Sequence, residues 1–203
     1  MYEIIEKIYD DYSKNYDNLV IETKYIGPEF LENFLKNTNQ IFDSVLDIGC
    51  ANGSSGKIIK KYFPKCNIDG IDISKQMIKL CNETNYYRNL YVKNISDGLP
   101  SELKKYDLII ANGCLEFIKN HNYLLKNLYT LLNQHGSFML TLQETNPGND
   151  NILGLNLETY DEDKTKKLLK ESYFKIFSLE KKIGYISLQN KTIYYYFMII
   201  ANK

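Results

Sequence analysis

From position 44 onward the chain alternates between two rhythms: short, continuous apolar runs and apolar positions recurring every three or four residues. The runs have the length and glycine-bounded ends of buried strands, and the periodic segments have one apolar face, as surface helices do. The pattern predicts strand one over Ser44–Ile48 and a helix over Gly53–Phe63. Strand two follows at Ile68–Asp72, and Ser74 is a good N-cap for a helix with Met77, Leu80 and Cys81 on one face. Strand three is Leu90–Val92 and strand four Tyr106–Ala111. Leu124, Leu125, Leu128, Leu131 and Leu132 mark an amphipathic helix ended by His135-Gly136, before strand five at Ser137–Leu142. A last helix spans Asp161–Ser172. Strands near Lys175–Leu188 and Thr192–Ala201 close the chain as an antiparallel hairpin across Gln189-Asn190-Lys191. Such alternation predicts an α/β fold, a mostly parallel Rossmann-like sheet with helices on both faces.

Residues 1–40 precede this rhythm. Ile4, Ile5 and Ile8 recur at helical spacing, Tyr12 to Asp17 is polar and aromatic, and a second helix begins around Tyr25–Leu31 with Pro28 in its first turn. Phe30, Leu31, Phe34 and Leu35 form its apolar face. We read this segment as a cap over the open edge of the sheet, with residues 41–203 as core and 1–203 as one domain. At 203 residues the chain can bury a sizeable core.

Charge and cysteine usage narrow the function. Lys+Arg and Asp+Glu are 25 each, so no basic field points to a nucleic-acid partner. Cys50, Cys66, Cys81 and Cys114 are widely spaced, and there are two histidines, so no metal site is expected. Reduced cysteines fit a cytoplasmic protein. The start, Met1-Tyr2-Glu3-Ile4-Ile5-Glu6, is acidic where a signal peptide is basic, and the apolar stretch Tyr194–Ala201 is too short to span a membrane. Nothing in the pattern sets an oligomeric state.

The chemistry concentrates where strand one ends. Val45-Leu46-Asp47-Ile48-Gly49-Cys50-Ala51-Asn52-Gly53 turns on glycines into a helix N-terminus, the architecture of a nucleotide-type site. Asp47 stands where a dinucleotide would place its pyrophosphate. A carboxylate repels phosphate and attracts an ammonium group, such as the one on S-adenosylmethionine. Asp72, 25 residues on, ends strand two and can accept hydrogen bonds from ribose hydroxyls; Asp69 is its competitor.

Asp47-x-Gly49-x-x-x-Gly53 resembles the first motif of class I S-adenosylmethionine-dependent methyltransferases, with Ala51 where the family usually has Gly. The segments Tyr25-Ile26-Gly27-Pro28, Tyr86 to Val92, Leu99-Pro100 and Thr145-Asn146-Pro147 look like the Williams–Beuren-region methyltransferase-like proteins and the TPR-linked methyltransferases. The resemblance implies strand order 3-2-1-4-5-7-6 with strand seven antiparallel. It implies S-adenosyl-L-methionine as cofactor and methyl transfer to an oxygen, nitrogen or carbon of a small molecule. It assigns cofactor contacts to Asp47, Gly49, Cys50, Ala51, Gly53, Asp72, Ile73, Met77, Asn94, Ile95 and Asn112. Asn94-Ile95 would meet the adenine, and Ala111 to Phe117 would lie beside the methyl group. The D/N-P-P-Y/F form used on exocyclic amines is absent.

No catalytic residue stands out. The candidates are Tyr16, facing the site from the cap; Glu144, leaving strand five; and His121, whose bland role is helix capping. Many family members have His at Phe117, so a general base is missing there. That leaves a rival reading, a non-catalytic cofactor-binding regulatory module. A nicotinamide oxidoreductase is disfavoured, since G-x-G-x-x-G fails at Ala51 and Ser54.

Overall fold

A computed structural model describes residues 2–146, 151–152 and 155–203 of the chain; Met1 and Pro147 lie outside them. Seven strands form one sheet: β1 (Ser44–Ile48), β2 (Asn67–Asp72), β3 (Asn89–Val92), β4 (Tyr106–Ala111), β5 (Leu132–Gln143), β6 (Lys175–Ile186) and β7 (Ile193–Asn202). Their order is β3-β2-β1-β4-β5-β7-β6, with β7 antiparallel to both neighbours and the other pairs parallel. This is the expected order.

Alternate residues of the central strands point to opposite faces. Leu46, Ile48 and Ile109 join a buried cluster with Leu125, Leu128, Phe138, Leu169 and Phe174. Val45, Leu108 and Ile110 join a second cluster with Leu31, Leu35, Phe42 and Ile59 on the other face. The helices covering these faces are α3 (Gly27–Asn37), α4 (Ser54–Tyr62), α5 (Lys75–Glu83), α6 (His121–Leu131) and α7 (Glu162–Glu171). Ser74 caps α5, accepting from the Met77 amide at 3.0 Å, and Asp161 caps α7 through Lys164.

Three expectations change. The run from Tyr12 to Asp17 is helical: α1 (Tyr2–Tyr12) passes through a single 3-10 turn at Ser13–Asn15 into α2 (Tyr16–Glu22). Strand five begins at Leu132 because Leu132 pairs with Tyr106 and pairing resumes at Ser137 with Leu108; residues 133–136 form an irregularity with His135 at φ +66°. A short antiparallel ribbon, Asn151–Ile152 with Leu155–Asn156, has no counterpart in the expected pattern.

Within residues 2–40, α3 buries Leu31 and Leu35 in the second cluster, whereas the α1–α2 segment is tied down mainly by polar contacts. Asp10 accepts from Ser74 Oγ and the Gln76 amide at the start of α5, and Asp17 accepts from Asn52 Nδ2 at 2.7 Å. Ile186 N donates to Thr23 O and Ile26 N to Gly184 O, joining the α2–α3 connection to β6. Its apolar contact is small, with Ile5 buried against Leu155 and Leu157.

Candidate functional site

The carboxyl ends of β1, β2, β4 and β5 lie along one edge, where doubly wound sheets bind ligands. The turn after β1 is held by Gly49 N and Cys50 N donating to Ile71 O at 2.8 and 3.1 Å. Gly49 and Gly53 sit at φ +71° and +88°, and Ala51 at +45°, the left-handed region where a side chain costs about 1–2 kcal/mol. A Cβ on Gly49 would meet the Cys114 Cβ at 2.8 Å, which explains why backbone is bare here.

The turn opens on a cavity of about 470 Å³, within the range of small-molecule sites. Of the expected cofactor residues, Gly49, Ala51, Asp72, Ile73, Asn94, Ile95 and Asn112 line it. Asp47, Cys50, Gly53 and Met77 do not. Asp47 is 2% exposed and accepts from the Tyr87 hydroxyl at 2.7 Å, which in turn accepts from Gly56 N. It therefore braces the turn against α4 from behind. Burial, with Asp72 adding, lifts its carboxyl to about 7. Cys50 and Met77 are core side chains, and Gly53 begins α4.

Asp72 faces the cavity. Oδ2 accepts from Ala51 N and Oδ1 from Ser74 N, both at 2.9 Å; burial raises its carboxyl to about 6. The competitor Asp69 is held away by Arg88, Asn89 and the buried Tyr106 hydroxyl. Asn94 is pinned by Ser96 N and Asp97.

Tyr16 lines the cavity, whereas His121 and Glu144 do not. His121 is 2% exposed, with Nε2 2.6 Å from Leu115 O and Nδ1 against the Tyr160 hydroxyl; burial lowers it to about 4, so it is a neutral brace. Glu144 pairs with Lys181 at 2.6 Å. Burial raises the phenols of Tyr9, Tyr16, Tyr25 and Tyr196, so each is a hydrogen-bond donor.

The deeper wall brings Asn112, expected at the cofactor, together with Glu116, Gln143 and Tyr25, to which the sequence reading gave no individual role. Glu116 is 4% exposed; its Oε1 accepts from the Tyr196 hydroxyl and its Oε2 has no partner. Gln143 is 1% exposed with both amide atoms unpartnered, and the hydroxyl of Tyr25 and Asn112 Oδ1 are likewise buried and unpaired.

Residues 46–138 match the family model of a methyltransferase domain. Bound S-adenosylhomocysteine and the substrate 1,6-didemethyltoxoflavin are named for the Burkholderia thailandensis 1,6-didemethyltoxoflavin-N1-methyltransferase, a solved structure that superposes at TM-score 0.69, 18% identity, covering 99% of this chain and 89% of that one. The fold is that of a class I methyltransferase. Malonyl-[acyl-carrier protein] O-methyltransferase 1 of Ilyobacter polytropus is 32% identical over 127 residues, 61% of this chain and 46% of the relative. The juvenile hormone acid O-methyltransferase of Bombyx mori is 32% identical over 106 residues, 50% of this chain and 38% of the relative. The chain thus spans about half the length, or less, of these curated relatives. Among the described residues no helix is long and apolar enough to cross a membrane, and no His/Cys/Asp/Glu group could hold a metal.

Proposed function

We propose that the chain binds S-adenosyl-L-methionine and transfers its methyl group to an oxygen, nitrogen or carbon of a small-molecule acceptor. The observation that carries this is one cavity running from the glycine turn and Asp72, past Asn112–Cys114, to the buried polar wall at Glu116 and Gln143. The methyltransferase relatives and the family match over the motif support it. Their own acceptors stay with those proteins.

The residues present fit the cofactor. Gly49, Ala51 and Gly113 line the cavity, the unpaired Asn112 Oδ1 can accept an N–H, and the Asp72 carboxylate has lone pairs left for ribose hydroxyls. Ile73 and Ile95 offer apolar surface for the adenine. Bound there, the cofactor would supply a methyl group already activated by its positive sulfur. The protein's part is then to orient the acceptor in a site shielded from water. Tyr16 and Phe117 line the approach and can donate or pack, but neither is a base.

Balanced charge favours a small molecule over a nucleic acid. Four free cysteines among the described residues fit a reducing cytoplasm. The finer likeness to Williams–Beuren-region and TPR-linked methyltransferases rests on the four short segments quoted above. Calorimetric titration tests the function: S-adenosylmethionine and S-adenosylhomocysteine bind and NAD does not. Tight NAD binding without response to the other two would overturn it.

A further inference from the structure

The deep wall also carries information about the acceptor. Gln143 on β5 stands opposite Tyr196 on β7, and the Tyr196 hydroxyl donates to Glu116 Oε1. Tyr25 meets the Tyr196 ring edge-on at 6.4 Å. Glu116 and Gln143 are both more than nine-tenths buried, and Glu116 Oε2 and the whole Gln143 amide lack a protein partner. Burial raises Glu116 above the ordinary carboxylate range, because its charged form is the costly one while Oε2 lacks a donor; a ligand that donates to Oε2 holds the group ionised. What completes it must bring an N–H or O–H, and a cation completes it best.

The surroundings select further. Burial raises Tyr9, Tyr16 and Tyr25, and the neighbours that add to it are carboxyl groups (Glu116, Asp72, Asp47 and Asp17), the Cys114 thiol and other phenols. Lys93 is the one basic residue lining the cavity among the described residues. It follows β3, four strand spacings, or about 19 Å, from Gln143. Tyr9, Tyr25, Tyr185 and Tyr196 supply aromatic faces, which together with a carboxylate are the chemistry that recognises organic cations.

We propose that the Glu116–Gln143–Tyr25 wall is the acceptor subsite and takes a nitrogen compound, a protonated amine or an N–H heteroaromatic, with the nitrogen donating to Glu116. It rests on the methyltransferase reading in that this compound would be the methyl acceptor: its nitrogen would give the N–H proton to Glu116 Oε2 and attack the sulfonium methyl with the freed pair, and the broken C–S bond would leave its electrons on sulfur as S-adenosylhomocysteine. A carboxylate acceptor would face Glu116 with no cation to offset it.

The test uses probes matched in skeleton: 2-phenylethylamine, 2-phenylethanol and 3-phenylpropionate, and benzimidazole against benzoate. Each is titrated by amide NMR shifts into the full chain, with and without saturating S-adenosylhomocysteine. The nitrogen probes should bind at least 10-fold tighter than the alcohol and the acids. Glu116→Gln, which keeps the acceptor oxygen for Tyr196, should shrink that preference below threefold; Gln143→Met should weaken the nitrogen probes by a factor of several. An equal or reversed order, failure of both nitrogen probes to bind, or a preference that survives Glu116→Gln overturns the inference. Loss of S-adenosylhomocysteine binding with the nitrogen preference intact would fault the methyltransferase reading, and with it the acceptor role, and leave the wall standing as a nitrogen-selective site.

Discussion

The two halves of the cavity differ in how their polar groups are satisfied. In the half built on the glycine turn, Asp72 already accepts from Ala51 N and Ser74 N, and Asn94 from Ser96 N. That half leaves Asn112 Oδ1 unpaired, while its carboxylate and its adenine-side loop are held by the chain's own amides. In the half built on β5 and β7, Glu116 Oε2, the Gln143 amide and the Tyr25 hydroxyl are buried and unpaired. A preorganised half suits a ligand of fixed chemistry. A half with unmet hydrogen bonds gains most from its ligand, and discriminates sharply against compounds that leave those groups unpaired.

The largest expected effects divide Asp72 from Asp69. Asp72→Ala removes the ribose acceptor and frees two buried amides, so S-adenosylhomocysteine affinity should drop about 100-fold. Asp69→Ala should leave that affinity within a few-fold. It should instead cost about 1–2 kcal/mol in urea unfolding, because it strands the buried Tyr106 hydroxyl and takes the partner from a half-exposed Arg88. Similar behaviour of the two variants would erase the distinction.

A smaller effect depends on pH. Folding raises Asp47 from 3.8 to about 7 and Asp72 from 3.8 to about 6, so the folded chain retains protons that the unfolded chain releases. Stability from these groups is fullest below about pH 4 and is lost as pH rises through 6 and 7. His121, lowered from 6.5 to about 4, works the other way, losing stability as pH falls through that range. Asp47→Asn keeps an acceptor for Tyr87 and removes one of the raised groups. Its stability relative to wild type should improve by about 1–3 kcal/mol between pH 5 and pH 8. A constant gap would show that Asp47 is charged at both.

The smallest effects run toward greater stability. Tyr25→Phe deletes a buried hydroxyl with no partner and should stabilise the ligand-free chain by about 1 kcal/mol, while weakening the nitrogen probes. Ala51→Gly relieves the φ of +45° but adds backbone entropy to the unfolded chain, for a net gain below about 1 kcal/mol in thermal unfolding. A loss of stability in Tyr25→Phe would mean that the hydroxyl has a partner.

The halves also differ in how far the sequence reveals them. Strand order came with the resemblance that the first motif carries, whereas the glycine turn and the place of Asp72 at the end of β2 were legible because they lie within a short stretch whose spacing is dictated by strand, turn and helix. Spacing sets the position of Asp47 on β1 but not which way its carboxyl turns, and in the structure it accepts from the Tyr87 hydroxyl. The deep wall gathers Tyr25, Glu116, Gln143 and Tyr196, brought together only by the sheet order. Strand alternation could have helped: with period two, adjacent residues face opposite ways, and it is Gln143 that reaches the cavity while the charged Glu144 turns out to Lys181. For Glu116 the signal was a charged residue between Leu115 and Phe117 just past a buried strand.

The division into two halves is tested most directly by calorimetric titration of S-adenosylhomocysteine into wild type, Asp72→Ala and Glu116→Gln. The account predicts about a 100-fold loss for Asp72→Ala and unchanged affinity for Glu116→Gln. Equal losses in the two variants, or no loss in Asp72→Ala, would contradict it.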